Sequence, residues 1–366
     1  MSNFDFLSLR QKNLYRKLED LKLDGFFVCN QTNITYLTNF NSRDSYLFIN
    51  LSGKINKKTS LFFITDFRYW QEAKENLKGL SFEKLNGSIF KKIGSLSKLL
   101  KIKRLGFEAK YLPFAEYKEI KKELSLNTEF VPTYDIVESL REIKSDIEIQ
   151  KIKKATEINI EAFRYAKKII RKGLTEKEIA RILEDFIKKK GAKPSFETIV
   201  AGGKNSAFPH HISSDYRLKK TELVLIDMGV DYQGYKSDLT RVFFLGKIPH
   251  IIRKIQDIVL KAQKLALETL TSKVSISKID KTARDYIKKN GYAKFFGHAL
   301  GHGIGLEVHE EPYISLKNKN VIKNGMVFTL EPAIYLPGKF GIRIEDMVWF
   351  NKDKAEVLSA TLDKSN

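Results

Sequence analysis

The sequence predicts two domains: a smaller α/β domain over residues 1–135, then a larger α+β domain over residues 136–366 whose antiparallel sheet is covered by helices. Three observations carry this. Short apolar strand-like runs alternate with amphipathic helical stretches through the first third of the chain. Pro132 then interrupts, and two long helices with capping signals begin in quick succession. Beyond Gly191, pairs of apolar strands are separated by turn residues, with helices inserted between the pairs.

Taken in order, residues 9–22 space Leu14, Leu18 and Leu21 at helical intervals among charges. Phe26 to Cys29 is a short apolar strand and SYLFIN is another. SLFFITDFRYW is a strand that runs into a helix through Ala73 and Leu77. RLGFEAKYLPFAEYKEIKKEL repeats the order strand, turn at Pro113, helix. Such strands build a parallel or mixed sheet, because helices join them. Nothing in this half reads as catalytic, and Asp66, Arg68 and Glu108 read as ordinary surface or loop charges.

After the junction, Ser145 with Glu148 and Thr175 with Glu178 each fit a capping box. The first helix carries Ile149, Ile152, Ile158 and Ile160, and the second ends at Gly191. FETIVAGG, ELVLIDMGV, KSDLTRVFFLG, GMVFTLEPAIYL and GIRIEDMVWF read as strands. Helices return from Ile252 to Leu270 and from Ile276 to Lys289, which predicts helices over one face of the sheet.

Lys and Arg number 65 against 44 Asp and Glu, a formal charge of +21. The lysines are scattered through both halves and form neither a basic tail nor a stripe interleaved with aromatics. They read as a solvated surface rather than a nucleic-acid interface. Cys29 is the one cysteine, so no intrachain disulfide forms, and its setting in GFFVC reads as a buried core thiol. The opening MSNFDFLSLRQKNLYRKLED lacks the apolar stretch of a signal peptide, and no run reaches the length of a membrane span. The expectation is a cytoplasmic protein.

Chemistry concentrates in three places. FFGHALGHGIGLEVHEE holds His298, His302 and His309 among four glycines, which remove side chains where backbone must bend or come close. LVLIDMGVDYQGYKSDLTRVFF reads as two strands around a DYQGY turn. With that turn centred between Tyr232 and Gln233, Asp227 falls directly opposite Asp238. VFTLEPAIYLPGKFGIRIEDMVWF, with its loop centred on Gly338, sets Glu331 opposite Glu345 in the same way. Facing carboxylates repel unless a cation or proton lies between them. Four acids and an imidazole are what two divalent ions in a shared site require. His210 and His211 follow Pro209 in a glycine-containing loop and are candidates for contacting a substrate; composition does not choose between them.

At this point the chain resembles the metal-dependent aminopeptidases of the pita-bread fold, and within them the Xaa-Pro peptidases: aminopeptidase P and the Xaa-Pro dipeptidase, or prolidase. The resemblance spans NITYLTNF and TDFRYW in the first, creatinase-like domain and LREIKSDIEIQKIKKA at the junction. In the second it spans IVAGGKNSAFPHH, LIDMGVDYQGYKSDLTR, GHGIGLEVHEEP, TLEPAIY and GIRIEDMV. It implies that Asp227, Asp238, His302, Glu331 and Glu345 bind two divalent ions, Mn²⁺ or Co²⁺ before Zn²⁺ or Fe²⁺, with Asp238 and Glu345 shared. It implies that Glu331 also moves protons, that His210 contacts substrate and that His309 bonds the scissile carbonyl. His298 then steadies a ligand or lines the pocket, and Arg343 orients a carboxylate. The activity implied is release of an N-terminal residue from an Xaa-Pro bond by hydroxide held between the ions, in a homodimer. The alternatives are prolidase action on dipeptides, and a non-catalytic pita-bread protein binding nucleic acid through its basic surface. Relatives of the second kind lose ligands, and all five stand here. His211 receives no role, and His250 lies outside every motif.

Overall fold

The computed structural model describes residues 3–41, 43–51 and 61–364, and the chain forms two compact units, Met1–Arg141 and Glu142–Asn366. The first unit carries helices α1 (Asn3–Asp20), α2 (Gln31–Thr38), α3 (Phe67–Asn76), α4 (Ile89–Leu99), α5 (Phe114–Glu123) and α6 (Glu138–Arg141). Its strands are β1 (Gly25–Val28), β2 (Ser45–Asn50), β3 (Leu61–Thr65), β4 (Ser81–Lys84), β5 (Arg104–Glu108) and β6 (Glu129–Thr133), in the order β4-β3-β2-β1-β5-β6. The sheet is mixed: β1–β2 and β2–β3 are antiparallel, while β3–β4 and β5–β6 run parallel through α3 and α5. Asn30, Asp66 and Ser88 cap α2, α3 and α4 with their side chains, satisfying N–H groups that the first turn leaves unpaired. Phe27, Phe48, Leu105, Ile93 and Ile120 centre the core.

Three expectations for this unit need correction. Glu108 is buried, because the N–H groups of Cys29 and Asn30 and the amide of Asn33 donate to it at 2.8, 2.8 and 2.6 Å. Burial still outweighs these donors and pushes its carboxyl up to about 7. Cys29 is only partly buried, since it lies just past the end of β1. Leu21, read as part of a helix running to residue 22, lies beyond α1, which stops at Asp20.

The second unit begins with α7 (Asp146–Ile169) and α8 (Glu176–Lys189), each opened by the capping box its sequence announces. Then come β7 (Lys193–Pro194), β8 (Ile199–Gly202), β9 (Glu222–Met228), β10 (Val230–Tyr232), β11 (Tyr235–Lys236) and β12 (Leu239–Leu245). Helices α9 (His250–Glu268) and α10 (Ile276–Lys289) follow. The unit closes with β13 (Gly301–Gly303), β14 (Glu310–Ile314), β15 (Val327–Leu330), β16 (Ala333–Leu336), β17 (Phe340–Arg343), β18 (Asp346–Asn351) and β19 (Lys354–Val357). Among the described residues, every strand pairing in this unit is antiparallel.

Helices cover both faces of this sheet, where one was expected. In β9, Leu223 and Leu225 pack with α9 and α10, while Val224, Ile226 and Met228 pack with α7 and α8. A strand buried on both sides reads as a continuous apolar run, so alternation is lost from LVLIDM.

The first acid hairpin is shifted by one residue from its expected centre. Gln233 and Gly234 form a two-residue turn with φ of 52° and 88°, and Asp227 pairs with Thr240 instead of Asp238. A turn with two positive φ angles places glycine in the second central position, which fixes this register. The shift preserves side-chain parity, so Asp238, two residues before Thr240, stays diagonal to Asp227. In the second hairpin Ala333 pairs with Arg343 and Leu330 with Asp346, one shared register that sets Glu331 and Glu345 opposite each other in the gap between two ladders.

β13 crosses β15 and β14 so closely that a Cβ on Gly301 would overlap the carbonyl oxygen of Thr329, whereas one on Gly297 would meet nothing. Gly301→Ala is therefore expected to cost about 2 kcal/mol or more by forced displacement of β13. Gly297→Ala should be close to neutral, and urea unfolding of the two variants distinguishes these outcomes.

Candidate active site

The four acids stand where ladders end. Asp227 is the penultimate residue of β9 and Asp238 precedes β12; Glu331 follows β15 and Glu345 precedes β18. At the gap the Glu331 N–H donates to Leu300 O (2.8 Å) and the Glu345 N–H to Thr240 O (3.2 Å). These two bonds lace the second hairpin to the histidine segment and to the first hairpin. His302 sits at the middle of β13, and its N–H donates to Thr329 Oγ1 (3.1 Å).

Nine of the residues singled out from the sequence line one cavity of about 480 Å³: His210, Asp227, Asp238, His298, His302, His309, Glu331, Arg343 and Glu345; His211, the other substrate candidate, does not. Asp238, His302 and Glu345 are buried and each offers a ligand atom within 4.8 Å of the others. His302 Nε2 lies 3.4 Å from Glu331 Oε1 and 3.8 Å from Asp238 Oδ2. Its Nδ1 bonds the carbonyl of Gly303 at 3.1 Å, which assigns the proton to Nδ1 and leaves the Nε2 lone pair facing the acids. The His309 ring lies 4.2 Å from the His302 ring and is tilted 59° to it, and His309 and His210 are exposed at the rim. The ion pair between Lys144 and Glu310, 2.7 Å long with side chains 1% and 4% exposed, anchors the chain just after His309.

Arg343 Nη2 pairs with Asp227 Oδ2 at 2.5 Å, Nη1 donates to Tyr335 Oη at 2.5 Å, and Nε donates to Thr240 Oγ1 at 3.0 Å. Thr240 in turn donates to Glu345 Oε2 at 2.7 Å, so one guanidinium steadies two acids, one of them directly. His298 Nδ1 bonds Ala299 O at 2.8 Å, and Nε2 lies 3.4 Å from Tyr335 Oη.

Beneath the acids runs a second set of contacts. The fully buried Gln263 of α9 donates to Leu330 O (2.9 Å) and Ile344 O (3.1 Å), the carbonyls just before Glu331 and Glu345. Its own oxygen accepts from Lys364 Nζ at 2.8 Å, and Lys364 also pairs with Asp346 at 2.7 Å. Arg241, 2% exposed, closes the ring by donating to Glu345 O (2.5 Å) and Asp346 Oδ1 (2.7 Å).

The electrostatics follow from crowding. Burial, then Glu345, Asp227 and Glu331, hold the Asp238 carboxyl well above its ordinary value, and burial with Glu331 and Asp227 does the same to Glu345. Burial, with Asp227 close by, pushes Glu331 up to about 8 despite Arg343. Burial lowers His302 to about 3 and His298 to about 4, so both imidazoles are neutral.

Comparison with known proteins agrees with this geometry. Residues 150–352 match the model of metallopeptidase family M24, and residues 10–143 match the creatinase/prolidase N-terminal domain. The chain is 35% identical over 360 residues to a Xaa-Pro dipeptidase of Pyrococcus horikoshii, covering 98% of each. It superposes on a solved Xaa-Pro dipeptidase from Bacillus anthracis with a TM-score of 0.90 (35% identity, 96% and 97% of the two chains). For an X-Pro aminopeptidase from Thermotoga maritima the TM-score is 0.84 (36% identity, 95% and 99%). The chain belongs to metallopeptidase family M24, its pita-bread domain preceded by a creatinase-like domain.

That family implies divalent metal ions, and the residues present fit them. Asp227 Oδ1, Asp238 Oδ1 and Glu345 Oε1 are buried without a hydrogen-bond partner in the structure, which is costly unless a cation takes their lone pairs. Sequence reasoning missed Thr240, Tyr335 and Gln263. Thr240 was within reach by parity, two residues from Asp238; Tyr335 and Gln263 carry no local signal.

In protein stripped with EDTA, protons must replace the cations. A carboxyl whose folded pKa exceeds its unfolded value takes up a proton on folding, so stability is full below the unfolded pKa and lost as pH rises through the folded one. With Glu331 moved from 4.5 to about 8, the Tm of stripped protein should fall between about pH 5 and about pH 8, and added Mn²⁺ should remove that slope. A Tm independent of pH without metal would contradict the crowding.

Proposed function

We propose that this chain is a two-metal exopeptidase that hydrolyses the bond between an N-terminal residue and a following proline. The observation that carries the reading is the trio of buried, unpartnered carboxylate oxygens beside His302, in a cavity of peptide-binding size. Relatives of matching length that are Xaa-Pro dipeptidases and X-Pro aminopeptidases support the substrate class. Similarity to the Xaa-Pro dipeptidases of P. horikoshii and B. anthracis favours dipeptides among its substrates, beside the longer peptides of an aminopeptidase P.

Asp227, Asp238, His302, Glu331 and Glu345 would hold the ions. An oxygen-rich set with one imidazole suits Mn²⁺ or Co²⁺, with Zn²⁺ and Fe²⁺ behind them. Bound there, divalent ions supply Lewis acidity and a hydrolytic water that ionises near neutral pH. The side chains do the rest. Glu331 takes a proton from the attacking water and delivers it to the proline nitrogen as the amide breaks. His309, at the rim, donates to the carbonyl oxygen as negative charge gathers there, and His210 contacts the substrate beside the scissile amide. Arg343 and Thr240 hold Asp227 and Glu345 in place through this exchange. The proline nitrogen has no N–H to offer, so recognition rests on ring shape and carbonyl contacts. A homodimer is proposed by fold analogy. The cytoplasm is proposed because a chain with one cysteine makes no internal disulfide.

Hydrolysis of a Xaa-Pro dipeptide and a Xaa-Pro tripeptide, each with Mn²⁺, Co²⁺, Zn²⁺ or EDTA, tests this. Metal-dependent release of the first residue is expected, abolished by EDTA and lowered on the order of 10²- to 10⁴-fold in Glu331→Gln. No turnover with any metal, in protein that binds two ions, would overturn it.

A further inference from the structure

His211 Nε2 lies 2.8 Å from Oε2 of Glu176, the first residue of α8, whose side chain is 0% exposed. The same Oε2 accepts from Ser214 N (2.9 Å) and Ser214 Oγ (2.6 Å); Oε1 accepts from Gly202 N (2.8 Å) and Asn205 Nδ2 (2.9 Å). One carboxylate oxygen thus grips the loop before His210 and the other grips it after. This is more than a helix start requires, because α8 is already closed by Thr175 and Glu178. Burial works to raise the Glu176 carboxyl, but the bonds from His211, Ser214, Asn205 and Gly202 outweigh it, and the group is held below its ordinary value.

The loop has little apolar anchoring near its tip, where Phe208 and Ile212 are 61% and 73% exposed. Polar clamps must hold it. On the cavity side Pro209 O accepts from Arg343 Nη1 at 3.2 Å, and Arg343 is paired with Asp227. His210 therefore sits between a carbonyl tied to the acid cluster and a ring tied to a buried carboxylate.

We propose that Glu176 and His211 are positioning residues: a carboxylate–imidazole pair that fixes the loop presenting His210 to the peptide. The proposal rests on the peptidase reading above, in which His210 contacts substrate. Neither residue lines the cavity or contributes to the acid cluster, so their loss acts on His210 and not on cation binding.

His211→Leu removes the donor, and His211→Gln keeps an N–H that can reach Glu176. In the metal-loaded protein, His211→Leu is expected to lower kcat on a Xaa-Pro dipeptide about tenfold or more, with KM moving less than about threefold. Mn²⁺ affinity by calorimetry should stay as in wild type, and His211→Gln should recover most of kcat. In the Zn²⁺-loaded protein the His210 Cε1–H resonance should shift or broaden in His211→Leu while that of His302 stays in place. Wild-type kcat with an unmoved His210 resonance overturns the proposal, as does a loss of Mn²⁺ affinity that matches the loss of kcat. If wild type binds metal yet cleaves no Xaa-Pro substrate, the peptidase reading falls alone, and the His210 resonance still decides the positioning role.

Discussion

Four carboxylates in one buried place cannot all keep their charge unaided, and the second unit is arranged around that constraint. Two unit charges about 4 Å apart repel by about 4 kcal/mol at an effective dielectric near 20. A few such pairs rival the entire stability of a domain. One guanidinium, on Arg343, offsets part of this, and His302 and His298 are neutral. The remaining negative potential is the driving force for capturing divalent ions, and it makes the crowding of these acids a cost that the scaffold must bear.

The scaffold does so by placing the acids at breaks between ladders and bracing the breaks from below. Strand β9 is buried on both faces, so Asp227 projects from a strand that helices fix on either side. Where β15 gives way to β16, and β17 to β18, the backbone bonds turn to the histidine segment, to Thr240 and to Gln263. Each acid is thereby aimed by main chain. That is a stiffer support than a side chain hung from a loop.

Much of this was legible in the sequence, because capping boxes, turn glycines and acids inside apolar runs act locally. Ser145 with Glu148 and Thr175 with Glu178 formed as their spacing dictates, and the Gly338 loop set Glu331 against Glu345. The first hairpin was misplaced by one residue because the turn was centred without requiring glycine at its second position. The site survived that error because the shift kept the side-chain period of two. What stayed hidden were partners supplied from afar. Glu108 is buried through donors nearly 80 residues away, and His211 finds Glu176 across 35 residues. Coverage of both sheet faces was hidden for a related reason, since a doubly buried strand has no polar side to reveal which way it points.

The Gln263–Lys364–Asp346–Arg241 ring has a consequence for synthesis. The strands of the first unit are complete by Thr133, so its sheet can form while the rest of the chain is still being made. The acid hairpins are not braced until Lys364 reaches Gln263 and Asp346. During synthesis, therefore, the cluster can be fully braced only well after the sheet of the first unit is able to form. A nascent chain whose first unit has already folded still lacks a finished site, and hence the means to cut peptides or to trap the wrong ion.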